Sequence, residues 1–266
     1  MNLAPKGEQG VGTDSRPSTM SRRTYIVCSV VLAGICGVLL AQVECTSNRP
    51  PAGSGVTLHT LRFDAFEFQY YLFAPASSEK AQALPLLFLV HGSGGNGFDF
   101  LKLWQEFARQ KQIVLLAPTF SLGEDLEKRV PELFPAFVED AKTKCRNLDP
   151  RRIYLFGYSG GGYAAFDAAT LDSTYFAAAS VLAGIITPDY DWIIARARRK
   201  TPIAMFMGDH DQFFSLAQAQ QTRDVLLAHG FPLHYVEISQ QHYNYGANFA
   251  WVQQDSWTFM REYALP

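Results

Sequence analysis

The chain has 266 residues, of which 48% are hydrophobic and 14% aromatic, so it can bury a sizeable core and is not expected to be disordered over most of its length. Its formal net charge of −2 comes without a basic stripe, which argues against nucleic acid as a partner. The four cysteines do not indicate a disulfide framework, because Cys28 and Cys36 lie within an apolar run.

The N-terminal region predicts export or membrane anchoring. Residues 1–24 are polar and contain the basic pair Arg22 and Arg23, and an uncharged apolar segment follows over residues 25–43. The length of this segment fits a signal peptide and a membrane anchor about equally well, so both alternatives stay open. Translation from Met20 would place the basic pair next to the amino terminus. We therefore expect the remainder of the chain to be exported, to a periplasmic or extracellular location.

A linker rich in Pro, Gly and Ser, residues 44–55, separates this segment from a single catalytic domain predicted over residues 56–266. Strand-like and helix-like segments alternate through that domain without a second linker or an internal repeat. The predicted strands are 56–63, 67–74, 84–90, 112–118, 152–158, 176–184, 202–208 and 232–239. The predicted helices are 99–110, 131–147, 161–171, 215–229 and 247–262.

The apolar pattern of these strands indicates how the sheet is built. The middle strands, such as LPLLFLV at 84–90, are continuously apolar, which is typical of parallel strands buried on both faces. The first two strands alternate more and fit an antiparallel edge. The fold class is therefore α/β, with a mostly parallel central sheet covered by helices on both faces in three layers.

A loop of small residues, HGSGG at 91–95, follows the third predicted strand. Small residues at the carboxyl end of a buried strand let backbone N–H groups converge on a negatively charged oxygen. We therefore interpret the N–H of Ser93 or of its neighbour as one donor of an oxyanion hole. The alternative is a tight glycine turn without a ligand. His91 is interpreted as a structural residue that braces the loop.

The sequence GYSGGG at 157–162 lies where a predicted strand turns directly into a helix. A serine presented above the sheet at such a turn needs a strained backbone and no side chains two positions away on either side. Gly157 and Gly161 meet that requirement. Ser159 is therefore the candidate nucleophile, and the N–H of Gly160 is the candidate second oxyanion donor.

A serine hydroxyl becomes nucleophilic only when a base takes its proton and an acid orients that base. Two acidic candidates, Asp209 and Asp211, follow the strand at 202–208, and His242 follows the last strand. The carboxyl ends of parallel strands meet at one edge of a sheet, so these side chains are expected near Ser159. The chain order serine, acid, histidine is the order expected for this architecture.

Taken together, these motifs resemble the α/β-hydrolase superfamily, and within it the esterase branch of polyhydroxybutyrate depolymerases, feruloyl esterases and related carboxylesterases. The resemblance covers roughly residues 66–262 and is carried by HGSGGNG, LDPRRIYLFGYSGGGYAAFDAA, GDHDQFF and QQHYNY. It implies that Ser159 is the nucleophile and His242 the base. It also implies that the acid is Asp211, with Asp209 as the alternative.

Two departures from the family pattern concern the site. Gln241 stands before the histidine where such families often carry a glycine, and Phe213 and Phe214 occupy a loop position often held by smaller residues. The second departure affects the shape of the acyl pocket. No polymer-binding module is appended, which favours soluble esters over a dedicated polymer depolymerase as the activity.

The sequence therefore predicts a serine hydrolase that cleaves carboxylic esters with short or aromatic acyl groups through an acyl-enzyme on Ser159. No metal or organic cofactor is expected, and the expected partner is a small-molecule ester, with membrane association through residues 25–43 as an open alternative. A peptidase on the same fold and a non-catalytic, membrane-tethered binding protein are the competing functions. Oligomeric state cannot be read from the sequence.

Overall fold

The computed structural model describes residues 49–75, 83–120, 129–171, 174–186, 191–242, 246 and 248–266. The predicted N-terminal segments, 1–24 and 25–43, and the first part of the linker lie outside the described residues. Within the described ranges, no helix combines the length and the apolar character needed to cross a membrane.

One sheet contains the eight strands of the described part of the chain. The strands are β1 (Val56–Phe63), β2 (Phe66–Phe73), β3 (Leu84–Val90), β4 (Val114–Pro118), β5 (Leu148–Tyr158), β6 (Ala178–Leu182), β7 (Ile203–Gly208) and β8 (Leu233–Ile238). Their order across the sheet is β1-β2-β4-β3-β5-β6-β7-β8. The pairs β1–β2 and β2–β4 are antiparallel, and every other neighbouring pair is parallel. The predicted antiparallel edge and parallel centre are both confirmed.

The described residues also contain six helices, of which five connect strands and the last follows β8. They are α1 (Gly97–Lys111), α2 (Val130–Lys144), α3 (Gly160–Leu171), α4 (Asp191–Arg196), α5 (Leu216–Ala228) and α6 (Phe249–Met260). Two of them begin at clear N-caps. The Asn96 side chain accepts a hydrogen bond from the Asp99 N–H at 2.9 Å, and Ser215 forms a reciprocal capping box with Gln218.

The core lies in two layers, one on each face of the sheet. Along β3, which is buried throughout, Leu86 and Phe88 face one layer, whereas Leu87 and Leu89 face the other. Helices α2, α3 and α5 cover the first face, and α1 and α6 cover the second. The three-layer α/β fold predicted from the sequence is therefore confirmed.

Two details of the elements differ from the prediction. Strand β5 begins at Leu148 and not at residue 152, because Leu148 pairs with Leu84 across an irregularity in the register. Asp149 and Pro150 are turn-forming residue types, so the sequence pattern places the start of the strand too late. The short helix α4 was not predicted, since six residues are too few to show a helical period.

Candidate active site

Ser159 lies at the junction where β5 ends and α3 begins. Its φ is +53°, a left-handed conformation that is uncommon for residues other than glycine. The backbone around it is fixed by two hydrogen bonds. The Ser159 N–H donates to the Leu182 carbonyl at 3.0 Å, and the Gly162 N–H donates to the Ser159 carbonyl at 2.8 Å. The predicted sharp turn from strand to helix is therefore present, with its strain held by neighbouring backbone.

The glycines two residues before and after Ser159 are required by close packing. A Cβ on Gly157 would lie 2.3 Å from the Gly161 carbonyl oxygen, and a Cβ on Gly161 would lie 2.3 Å from the Val90 carbonyl oxygen. These distances are far below van der Waals contact, so no side chain fits at either position. The absence of side chains lets α3 begin directly against the end of β3.

His242 connects the serine to an acid. Its Nε2 lies 2.8 Å from Ser159 Oγ, and its Nδ1 lies 2.6 Å from Asp211 Oδ2. The His242 side chain is 1% exposed and the Asp211 side chain 0% exposed. The three side chains thus form a continuous hydrogen-bonded chain, most of which is shielded from water.

The carboxylate of Asp211 is held in place by its own loop. Its Oδ1 accepts hydrogen bonds from the N–H groups of Phe213, at 2.8 Å, and Phe214, at 3.0 Å. The other oxygen is then directed at His242 Nδ1. An ionised carboxylate can only accept, so Nδ1 carries the proton and Nε2 is left to accept the proton of Ser159.

Asp209 has different partners. Its Oδ1 accepts hydrogen bonds from His210 Nδ1 at 2.5 Å and from the Gln240 N–H at 3.1 Å. Desolvation raises the pKa of the Asp209 carboxyl, but the hydrogen bonds and the charge of His210 outweigh it and keep this pKa below its ordinary value. Asp209 therefore braces the loop after β7 against the chain after β8, and Asp211 is the acid that contacts the histidine.

The loop after β3 lies directly against the nucleophile. A Cβ built on Gly92 would come within 3.3 Å of the Cβ of Ser159 and 3.1 Å of the Tyr158 ring. The Gly95 N–H donates to the Gly92 carbonyl at 3.0 Å, which closes a tight turn. The absence of a side chain at Gly92 lets this loop approach Ser159 closely, because a Cβ there would require Tyr158 or Ser159 to shift by a few tenths of an ångström.

The two predicted oxyanion donors flank the serine. Ser93 follows Gly92 in the loop, and Gly160 directly follows Ser159 at the first position of α3. Among the turns, loops and caps of the described residues, no backbone carbonyl accepts a hydrogen bond from either N–H. The role of both N–H groups in binding a substrate oxygen stays a prediction.

His91 braces the loop, in line with its structural interpretation. Its Nδ1–H donates to the Gly92 carbonyl at 2.7 Å, and its Nε2 accepts from the Phe120 N–H at 3.0 Å. Burial lowers the pKa of His91, so the ring stays neutral and keeps one donor and one acceptor. The ring thereby connects the loop after β3 to the loop after β4.

Tyr158 makes a contact that the sequence analysis missed. Its hydroxyl donates to the backbone carbonyl of His242 at 2.7 Å, and its ring stacks on the imidazole with 5.6 Å between ring centroids. The sequence feature that could have indicated this contact is the tyrosine itself, because its position immediately before the nucleophile brings a hydroxyl close to the site. Tyr158 therefore fixes the main chain of His242 relative to Ser159.

The aromatic residues near the site divide into packing and site-lining groups. Phe100 and Trp104, both on α1, are buried in the core. Phe213 and Phe214 lie against the His242 ring, at centroid distances of 4.7 and 5.5 Å. Tyr243 and Tyr245, which follow His242 in the sequence, lie outside the described residues.

Metal binding finds no support in the described ranges. Those residues contain no group of three or more His, Cys, Asp or Glu side chains arranged to hold a metal ion. The polar side chains at the nucleophile are the Ser159 hydroxyl, the His242 imidazole and the Asp211 carboxylate. These are the groups that acyl transfer uses.

More than half of the sequence matches a known protein family. The profile of the dienelactone hydrolase family matches residues 106–241, slightly more than half of the chain. The chain belongs to the dienelactone hydrolase family. The match includes Ser159 and Asp211 and ends one residue before His242. No curated protein matches the sequence significantly.

Solved structures similar to this family member include several esterases. A thermostable esterase has a TM-score of 0.62 at 20% identity over 79% of this chain and 64% of its own, so this chain spans less than two thirds of that protein. The fluorophosphonate-binding serine hydrolase F of Staphylococcus aureus has a TM-score of 0.64 at 12% identity, over 77% and 98%. Esterase 2 of Thermogutta terrifontis, phosphorylated by paraoxon, has a TM-score of 0.62 at 16% identity, over 78% and 94%.

These comparisons identify the superfamily and the broad activity. The fold likeness and the family match confirm the predicted α/β-hydrolase resemblance. As a member of the dienelactone hydrolase family, the protein is a hydrolase. The family is named for a lactone, which is a cyclic ester. The narrower resemblance to polyhydroxybutyrate depolymerases and feruloyl esterases stays a prediction.

Proposed function

We propose that this hydrolase is a serine carboxylesterase that forms an acyl-enzyme on Ser159. One observation carries the proposal, namely the hydrogen-bonded chain from Ser159 Oγ through His242 to the buried Asp211 carboxylate. That arrangement supplies a nucleophile, a base and an acid that sets the tautomer of the base. A non-catalytic binding protein would have no need to bury such a chain.

The acylation step follows from the directions of the hydrogen bonds. His242 Nε2 takes the proton of Ser159 while Oγ forms a bond to the ester carbonyl carbon. The bond between that carbon and the alcohol oxygen then breaks, and His242 returns the proton to the departing alcohol. Asp211 stabilises the imidazolium that exists between the two proton transfers.

Deacylation repeats the sequence with water in place of the alcohol. His242 takes a proton from water, the hydroxide oxygen bonds to the acyl carbon, and the bond to Ser159 Oγ breaks. His242 returns the proton to Ser159, and the carboxylic acid leaves. In both steps the negative oxygen is bound by the N–H groups of Ser93 and Gly160, each contributing about 3 kcal/mol in the transition state.

The preference for short or aromatic acyl groups rests on Phe214 and the ring beside it. Phe214 contacts the His242 ring and packs edge-on against Tyr163, with 5.9 Å between the ring centroids of Phe214 and Tyr163. Aromatic side chains around a nucleophile favour apolar and planar groups.

The test is hydrolysis by the purified full-length protein of p-nitrophenyl esters of increasing acyl chain length and of an aromatic acid. We expect turnover that Ser159→Ala and His242→Ala each reduce by at least about a thousandfold. A metal chelator in the assay is expected to change nothing. Equal rates for the wild type and both variants would overturn the proposal.

The same assay separates the competing functions when p-nitroanilides of amino acids and dipeptides are added. Cleavage of the anilides with little cleavage of the esters would favour a peptidase on this fold. Absence of cleavage in both series, from protein with a cooperative unfolding transition, would favour a binding protein without activity.

A further inference from the structure

Phe213 contacts both the acid and the base of the site and is exposed to solvent. Its backbone N–H donates to Asp211 Oδ1 at 2.8 Å, and its ring centroid lies 4.7 Å from that of His242, with 53° between the ring planes. The residue is nevertheless 57% exposed. The main chain of Phe213 therefore contacts the acid, and its ring lies against the base while much of the residue faces solvent.

Phe214 provides the contrast. It also donates its N–H to Asp211, but its side chain is partly buried against the core and packs on Tyr163. Phe214 thus has a packing role, which accounts for its apolar character. Phe213, by contrast, leaves much of its surface exposed to water, and an apolar substrate group that covers this surface would gain the free energy of burial.

The chemistry of the site indicates which part of an ester would meet this ring. The carbonyl oxygen must point at the N–H groups of Ser93 and Gly160, which flank Ser159 on the side of the loop after β3. The alcohol oxygen must approach His242 Nε2, because that atom returns the proton to it. Of the three rings in the described residues that pack on His242, those of Tyr158, Phe213 and Phe214, only Phe213 is exposed, so it is the ring that an alcohol group approaching His242 can contact.

We infer that Phe213 is a specificity-determining residue that contacts the alcohol part of the ester and selects esters of apolar, aromatic alcohols. The inference rests on the proposed esterase function and adds the substrate class on the leaving-group side. Contact with Phe213 removes apolar surface of both the ring and the alcohol from water.

Contact of Phe213 with the alcohol part of the ester affects acylation and deacylation differently. During acylation the alcohol is present, its bond to the carbonyl carbon breaks, and His242 protonates it. During deacylation the alcohol has already left and water takes its place. Contact of Phe213 with the alcohol therefore discriminates between esters in acylation only, because all esters of one acid form the same acyl-enzyme.

The experiment compares two ester series on the full-length protein. The alcohol series is ethyl, butyl and 2-phenylethyl acetate, and the acyl series is ethyl acetate, ethyl butanoate and ethyl 3-phenylpropanoate. In Phe213→Ala we expect kcat/KM for 2-phenylethyl acetate to fall about tenfold further than for ethyl acetate. Ratios within the acyl series are expected to stay the same, and Phe213→Leu should retain part of the preference.

A matched control and an independent readout accompany these variants. Leu227 is 54% exposed near the far end of α5 from the site, so Leu227→Ala removes a comparably exposed apolar side chain and is expected to leave both series unchanged. Labelling of Ser159 by a small fluorophosphonate is the independent readout. Labelling of Phe213→Ala shows that the hydrogen-bonded chain of Ser159, His242 and Asp211 still activates the serine.

Three results would overturn the inference. An equal decrease in kcat/KM for all acetates in Phe213→Ala would mean that the ring does not distinguish one alcohol part from another. A change confined to the acyl series would assign Phe213 to the acyl pocket. Absence of ester hydrolysis by the wild type would remove the proposed function and this inference with it, whereas the first two results leave the esterase proposal intact.

Discussion

The two carboxylates of the loop after β7 lie two residues apart and have different partners. Asp211 contacts His242 Nδ1, and Asp209 contacts His210 and the Gln240 N–H. The positions of the two residues left both acids open, because either lies beyond the carboxyl end of a buried strand, and only the family resemblance favoured Asp211. What distinguishes them is the turn at residues 211–214, in which the N–H groups of Phe213 and Phe214 orient one carboxylate.

This difference predicts unequal effects of removing each charge. Asp211→Asn places an amide N–H₂ opposite His242 Nδ1, which favours the tautomer with a proton on Nε2 and blocks its role as a base. We expect kcat to fall roughly 10³- to 10⁴-fold. Asp209→Asn should lower it by less than about tenfold. Steady-state kinetics on one ester, with circular dichroism of both variants, checks this, and equal losses or the reverse order would refute the assignment.

Tyr158 is expected to act as a positioning residue for His242. Tyr158→Phe removes only the hydroxyl that donates to the His242 carbonyl, a bond with a net value of about 1 kcal/mol. We expect kcat to fall roughly fivefold while KM stays nearly constant, because the bond orders the base and not the substrate.

The chain offers a matched control for this substitution. The Tyr154 hydroxyl also donates to a backbone carbonyl, that of Tyr263, at 2.9 Å, but it lies in the core beneath α6. Tyr154→Phe is expected to lower the melting temperature without changing kcat. A loss of kcat in both variants would show that Tyr158 acts through stability alone.

At the scale of elements, the site depends on how closely α3 approaches β3. A Cβ on Gly161 would lie 2.3 Å from the Val90 carbonyl oxygen and 2.5 Å from that of His91. Because these contacts are backbone atoms, they cannot rotate away, and the helix as a whole must shift. The same shift would displace Ser159 and the N–H of Gly160.

We therefore predict that Gly161→Ala lowers the free energy of unfolding by about 3 kcal/mol and abolishes most activity. The control is Gly246→Ala, since a Cβ there would meet no atom within 4 Å. Urea unfolding of both variants gives the comparison. A stable, active Gly161→Ala protein would mean that α3 does not start against β3 as described.

The elements that were predicted from the sequence are those with long, uninterrupted patterns. Apolar runs such as LPLLFLV identify β3 and its parallel neighbours, and this in turn places Ser159, Asp211 and His242 at one edge of the sheet. The start of β5 and the helix α4 were missed, because a proline interrupts the first and the second has too few residues. The bond from Tyr158 to His242 depends on the direction of a single carbonyl, about which side-chain patterns carry no information.

At the scale of the whole molecule, residues Ser47–Pro266 form one compact unit, and the predicted catalytic domain lies within it. The apolar segment 25–43 lies outside the described residues, so export remains a proposal based on the sequence. An apolar segment that follows Arg22 and Arg23 and precedes a polar linker favours transfer of the chain across a membrane.

We predict that the catalytic domain is found on the exported side, either cleaved after the apolar segment or retained by it. Fractionation of cells into cytoplasm, membrane and exported material, with esterase activity assayed in each, checks this. Protease accessibility of intact cells then distinguishes an anchored domain that faces outward from one that faces inward. Full-length protein in the soluble cytoplasmic fraction would contradict the proposal.

We propose that Ser159, activated by His242 and Asp211, carries the covalent intermediate. Intact-protein mass spectrometry of the full-length enzyme, quenched in acid during turnover of a p-nitrophenyl ester and followed by peptide mapping, detects this intermediate. We expect one acyl group per chain, located on Ser159, and no adduct in Ser159→Ala. An acyl group on another residue, or turnover at an unchanged rate in Ser159→Ala, would refute an acyl-enzyme on Ser159.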